Sequence, residues 1–256
     1  MIVSLLLFLS SFFDSNTPKA AIKAESKNSI NKSTNNDDKK FVLLELFTSE
    51  GCSSCPAADE ALIDLAKQPN VYVLGYHVSY WNRLGWTDAF SNKSFDERQY
   101  AYGDRFKKEG VYTPEVIING IDATVGSRKE YIQEKINTEL KNQHDVSINM
   151  TKNLHNNTDL EISWSVSGNL KNSVVNFALV ESDISTKVKR GENNGRTLRH
   201  INVVRDIVSQ KVTDNQEGKS HLVVDKAWNL NNLKLIAFTQ ENGLGKITSA
   251  TSVSLQ

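Results

Sequence analysis

Cysteine is almost missing from this chain. Two occur in 256 residues, Cys52 and Cys55, three positions apart. That scarcity excludes a multi-bridge disulfide scaffold, and it excludes a zinc site closed by cysteines alone. The five histidines, at 77, 144, 155, 200 and 221, show no paired spacing that would complete such a site. A net charge is missing as well, since 30 basic residues balance 30 acidic ones. With no glycine-rich phosphate cradle and no basic stripe interleaved with aromatics, nucleic acid is not an expected partner. Long apolar runs are also missing. The opening "MIVSLLLFLSSFF" is too short to span a bilayer comfortably.

That opening run does have the length of a secretory hydrophobic region. It suggests a signal peptide over residues 1–24, although no lysine or arginine precedes it. The stretch that follows, to residue 40, is rich in Ser, Asn, Lys and Asp. It carries too little apolar surface to offset the entropy of ordering, so residues 25–40 read as a disordered tether. The expectation is an exported protein, periplasmic or secreted, with no integral membrane domain once the signal is removed. Disulfides persist in such compartments.

What is present begins with "FVLLELF" at 41–47, a run of strand length that is apolar apart from Glu45. After the cysteines, Pro56 sits where a first helical turn tolerates it, and Ala58, Leu62 and Leu65 follow at helical spacing. "VYVLGYHV" at 71–78 is a second apolar strand. Strand, short helix and strand imply a parallel pair with a right-handed crossover. An aromatic, turn-rich segment leads into a helix from about Phe95 to Lys108. "TPEVIING" gives a strand from Thr113, "GIDATVG" a turn, and residues 127–143 a last helix. From Asp145 onward the pattern alternates with period two between Asn, Gly and Asp turns, which suggests an antiparallel sandwich. Within it, residues 187–210 form a polar insertion, read as a loop plus an edge strand. The boundaries drawn are 41–144 and 145–256.

A disulfide across so short a loop contributes little through chain entropy, which tilts the cysteine pair toward chemistry. A cysteine at a helix N-terminus meets unpaired backbone N–H groups and the positive end of the helix dipole, and both favour thiolate. A second cysteine one turn on resolves the mixed disulfide. Cys52 is thus the expected exposed attacker and Cys55 the buried resolver.

The order of elements up to residue 144 resembles the thioredoxin fold. That resemblance implies a cis-proline at the start of the third strand, facing the cysteines, and the matching residue is Pro114, with Thr113 before it. It also implies a buried acid that accepts the resolving thiol's proton, here Glu45, unless that side chain lies at a strand end and points outward. The longer motifs "ELFTSEGCSSCPAAD", "HVSYWNRLGW", "RQYAY", "VYTPEVIING" and "RGENNGRTLRHINVVR" resemble the secreted thioredoxin-like family catalogued as domain of unknown function 1223. The likeness runs from about residue 41 to the C-terminus. It implies an α/β thioredoxin-like domain followed by an all-β sandwich-like domain, and it implies no activity. The chain departs from the family pattern at Glu50 and Glu115, where glutamine is usual, and at Ser79 and Asn82, where aspartate is usual.

Glu50, two residues before Cys52, disfavours thiolate and implies a more reducing couple, unless it is a solvated loop charge. His77 ends the second strand and is read either as a hydrogen-bonded core histidine or, with Cys52 and Cys55, as a ligand set for copper. Tyr80, Trp81, Trp86 and Tyr112 lie around the expected site as a substrate groove or as core, and Thr113, Trp81 and Tyr112 are the candidates for orienting substrate. Arg190, Arg196, Arg199, His200 and Arg205 make the insertion basic, as surface charge or as a brace between the halves. The function expected is thiol–disulfide exchange with a protein or small-thiol substrate and a redox partner protein. Cys52, Cys55, Pro114 and Glu45 would carry it, with no cofactor beyond the disulfide. The alternatives are a copper-binding module and a non-catalytic interaction protein.

Overall fold

A computed structural model describes residues 39–256 apart from Lys171. The expected signal peptide, and the expected tether up to residue 38, lie outside the described residues. The elements are β1 (Val42–Thr48), α1 (Cys55–Leu65), β2 (Val71–His77), α2 (Lys93–Arg105), β3 (Glu115–Ile118), β4 (Asp122–Val125) and α3 (Lys129–Glu139). They continue as β5 (Ser147–His155), β6 (Asp159–Ser167), β7 (Ser173–Glu181), β8 (Ile184–Lys187), β9 (Thr197–His200) and β10 (Val203–Lys211). The last three are β11 (Glu217–Val223), β12 (Leu233–Glu241) and β13 (Ile247–Ser254). Among the described residues, no helix is long and apolar enough to cross a membrane.

β1 and β2 run parallel, with Val42 opposite Val71 and Thr48 opposite His77. β3 joins the other side of β1 antiparallel, and β4 folds back on β3 through the Asn119–Gly120 turn. Both turn residues have positive φ, 46° and 69°, which suits an Asn-Gly hairpin. The segment read as a simple turn, "GIDATVG", therefore contains the edge strand β4.

The fold class expected from the resemblance is not what forms. Among the described residues, strand makes up 41% and helix 19%, and one mixed sheet of eight strands runs β13-β12-β7-β10-β2-β1-β3-β4. Four of its strands precede residue 145 and four follow it. β10, read as an edge strand, lies inside this sheet between β7 and β2. Gly75 on β2 makes the join. Its N–H donates to the Asn202 carbonyl at 3.0 Å, and a Cβ there would come within 2.4 Å of the Ile201 carbonyl oxygen. Asn202 Nδ2 completes the join by donating to the Val73 carbonyl.

Burial follows the same continuity. On one face, Phe47, Tyr76, Phe95 and Tyr102 pack in a single cluster with Val180, Ile236 and Phe238. The other face is shared out. α1 and α3 cover β1–β3 through Leu44, Leu46, Leu62, Val116, Ile132 and Ile136. The sheet β11-β6-β5 covers β7 and β12 through Leu160, Ile162, Trp164, Phe177 and Leu235. β1 is buried on both faces, so its apolar run is nearly unbroken.

Candidate functional site

α1 begins at Cys55, with Pro56 in its first turn. Cys52 and Cys55 are joined as a disulfide, and each is only 1% exposed. The expectation of an exposed Cys52 is corrected: both sulfurs lie beneath cover. Ser54, which precedes the helix, makes no side-chain cap; its hydroxyl lies 3.3 Å from Cys52 Sγ. On another side, Cys52 Sγ lies 3.8 Å from the Thr113 carbonyl oxygen, and the Thr113–Pro114 bond is cis. Thr113 and Pro114 are thus brought to the sulfur from about sixty residues away.

The cover comes from the polar insertion. Asn193 is fully buried and donates through Nδ2 to the carbonyls of Glu50 and Cys52, both at 2.9 Å. Glu192 accepts from the Ser53 N–H at 3.0 Å. Arg196 donates to Asn193 Oδ1, and Arg199 stands 3.8 Å from Glu60 on α1. Beside them, a groove of about 200 Å³ is lined by Pro56, Ala57, Glu60, Arg196, Leu198 and Arg199. Arg205 instead pairs with Glu181 and lies over the Phe90 ring.

A buried polar network stands against this turn. Glu50 is not a solvated loop charge: it is fully buried. Trp86 Nε1 donates to its Oε2 at 2.7 Å, and His200 Nε2 lies 3.2 Å from its Oε1. Its backbone N–H donates to Asp88, whose Oδ2 also meets His77 Nδ1 at 2.7 Å. The His77 and His200 rings meet edge to face at 4.8 Å. His200 Nδ1 stands 4.0 Å from Asp59 Oδ1, while Asp59 Oδ2 accepts from the Thr48 hydroxyl at 2.9 Å. Burial pushes the Asp59 carboxyl up, against His77 and His200, which pull it down. Burial opposes a charge on His77, but Asp88, Asp59 and Glu50 outweigh it and raise the imidazole. Burial also works against an Asp88 carboxylate, yet His77 and the Glu50 and Phe90 amides hold it below the ordinary range.

Glu45 lies elsewhere. It is fully buried on β1, but it faces α2, where Arg98 Nε donates to it at 2.7 Å and the Tyr102 hydroxyl donates to its other oxygen. Its neighbours Leu44 and Leu46 are the ones that meet α1. Alternation along β1 therefore puts Glu45 on the face away from the helix that carries the cysteines. His77 joins the network with Asp88, and among the described residues no group of three or more His, Cys, Asp or Glu side chains is set to hold a metal.

Trp81 is half-buried and packs where a Cβ on Gly51 would reach it at 3.2 Å. Tyr112 is 38% exposed beside the cis bond, with the Lys108 ammonium over its ring. Ser79 donates through both its N–H and its hydroxyl to Asp96, and Asn82 accepts from the Asp88 N–H. Lys108 pairs with the buried Glu115. Sequence reading missed Asp59, Asp88, Glu192 and Asn193. Asp59 had a usable signal: it lies four residues after Cys55 on the same helix face.

A family model described as "Protein of unknown function (DUF1223)" matches residues 43–240. Among solved structures, a crystal structure of a protein from Agrobacterium tumefaciens is similar at 29% identity and a TM-score of 0.64, covering 84% of this chain and 94% of that one. HBP35 of Porphyromonas gingivalis is similar in fold at 15% identity and a TM-score of 0.64, covering 86% and 76%. No curated protein matches.

Proposed function

Since this chain belongs to a family whose description carries no activity, DUF1223, we propose from the site itself that it is an exported thiol–disulfide exchange protein. The observation that carries the reading is the placement of the Cys52–Cys55 disulfide. It sits at the first turn of α1, with the Cys52 sulfur against the Thr113 carbonyl. In the reducing direction a substrate thiolate attacks Cys52 Sγ, the Cys52–Cys55 bond breaks, and a substrate–Cys52 mixed disulfide forms. A second substrate thiolate attacks the substrate sulfur and releases Cys52. Two electrons pass from two thiols to the protein, and the reverse sequence oxidises thiols. The start of α1 favours a Cys52 thiolate, while the buried Glu50 opposes it. Thr113 and Pro114 line the approach, and the exposed Tyr112 is suited to meet substrate. Access to Cys52 requires displacement of the segment holding Glu192 and Asn193.

The test is equilibration of the pair against thiol buffers, read by alkylation and mass. The expected result is a reversible midpoint within roughly −120 to −270 mV, the span of known exchange proteins.

One observation favours a second reading. Both cysteines are 1% exposed, and Asn193 straps the Glu50 and Cys52 carbonyls of their turn, as at an inert structural disulfide. In that case the pair resists reduction to below about −300 mV. The activity then lies in non-catalytic interactions of the β-rich part.

A further inference from the structure

The network behind the cysteines leaves three buried atoms with no protein hydrogen-bond partner: Asp59 Oδ1, His77 Nε2 and His200 Nδ1. Native interiors satisfy nearly all such atoms, so three in one network call for an explanation. Two of them face each other at 4.0 Å, across a gap slightly too wide for a hydrogen bond. The opposite side of each group is fixed. Thr48 donates to Asp59 Oδ2, and Glu50 holds His200 Nε2. Glu50 engages His200 at Nε2, so the ring turns its Nδ1 edge toward Asp59.

Asp59 also lies one turn along α1 from Cys55, on the same buried face. Residues four apart on a helix are neighbours, with Cβ atoms about 5–6 Å apart. When the disulfide opens, Cys55 is left as a thiolate in a site that is 1% exposed. A buried, unpaired thiolate is costly, and it needs a proton from a group that shares its burial. Glu45 cannot supply it from the other face of the sheet.

We propose that Asp59 is the proton donor and acceptor for the Cys55 sulfur, with His200 as the positioning residue that faces the carboxylate left behind. The proposal rests on the exchange reading above. In the reducing direction, substrate thiolate bonds to Cys52 Sγ and the Cys52–Cys55 bond breaks. The electron pair goes to Cys55 Sγ, and the proton on Asp59 moves to that sulfur. This leaves a Cys55 thiol and an Asp59 carboxylate. Thr48 donates to that carboxylate, and the Ile201 amide and the His200 and His77 rings face it. Glu50 and Asp88 sit behind the two rings. In the oxidising direction the carboxylate takes the Cys55 proton, and the new thiolate attacks Cys52 Sγ and expels the substrate thiolate. Burial favours the neutral acid that the first step requires.

The test is single-turnover reduction of the full chain by dithiothreitol from about pH 5 to 9, a span that covers a raised carboxyl. The wild type is expected to show an inflection beyond the ionisation of dithiothreitol itself. Asp59→Asn is expected to lose that inflection and to slow at least about tenfold, at the low end of general acid catalysis. Asp59→Glu restores part of the rate, and His200→Gln keeps the inflection but moves it upward. An Asp59→Asn protein with the wild-type rate and profile overturns the proposal. Should Asp59→Asn fail to fold, the reduced-minus-oxidised infrared difference spectrum of the wild type decides: a changing neutral-carboxyl band supports the proposal, and no carboxyl change overturns it. A wild type whose disulfide does not exchange at all sinks the exchange reading itself, and that outcome is distinct from both.

Discussion

Gly126 fills a gap that no side chain fits. A Cβ there would lie 2.9 Å from Ala58 Cβ, 3.1 Å from Pro114 Cβ and 3.3 Å from Leu46 Cδ1. α1, β1 and the cis peptide segment therefore meet on one glycine, whose N–H also donates to the Pro114 carbonyl. Gly126→Ala is expected to cost about 1–3 kcal/mol by overpacking, read from urea unfolding. Asp88 works by charge instead of shape. Its lowered folded value means that its contribution is complete above the ordinary 3.8 and fades as pH falls through the folded value. His77 has a raised folded value, so its contribution is complete below the ordinary 6.5 and fades as pH rises through the folded value. The pair is therefore worth most between these two ordinary values. Asp88→Asn leaves the His77 side buried and unpaired, and it is expected to cost about 3–5 kcal/mol in that window. Denaturant titrations of both proteins across pH should show the difference narrowing at the acid end. A gap that stays constant down to strong acid would rule out this ion pair as its source.

At the scale of elements, the segment that carries Glu192 and Asn193 closes the cysteine turn from about 140 residues away. Asn193→Ala removes two buried hydrogen bonds and strands two carbonyls. A loss of roughly 1–3 kcal/mol follows, together with faster reduction of the Cys52–Cys55 bond by a fixed concentration of thiol. Quenched alkylation measures that rate, and an unchanged rate would mean the segment does not gate the sulfurs. This contact explains what was and was not legible in the sequence. The cysteine turn, α1 and the start of β3 were readable, because apolar periodicity, proline and helix spacing are local signals. The burial of Cys52 was not, because its cover is a polar run whose glycines and asparagines announce a shaped loop without a destination. Glu45 shows the same limit, while Asp59 did carry a signal. A strand buried on both faces has no polar side, so the direction of Glu45 could not be read from period two. Asp59 sat in a helix whose apolar positions, Ala58, Leu62 and Leu65, already defined the inward face.

Across the whole molecule, the alternation of strands such as β5 and β6 was visible, but their partners were not. Period two says which residues share a face and nothing about which strand lies alongside. The pattern shift near Asp145 therefore suggested a separate sandwich, while β10 in fact reaches β2 through Gly75 and Asn202. The consequence is energetic. Phe238 on β12 is fully buried in one cluster with Phe47, Tyr76 and Tyr102, and the Arg98 guanidinium that pairs with Glu45 lies 5.9 Å from its ring. A cluster that draws on both parts of the chain should couple their unfolding. Phe238→Ala is expected to cost about 3–5 kcal/mol, although it lies far in sequence from the cysteines. In urea, the far-ultraviolet signal, dominated by strands, and the exposure of Cys52 and Cys55 to thiol reduction should then share one midpoint. Both should move together in the variant. Two separated transitions, with only the strand signal shifted by Phe238→Ala, would mean that the cysteine-bearing elements stand without the shared core. The Gly75 join would then be a contact between independently stable parts.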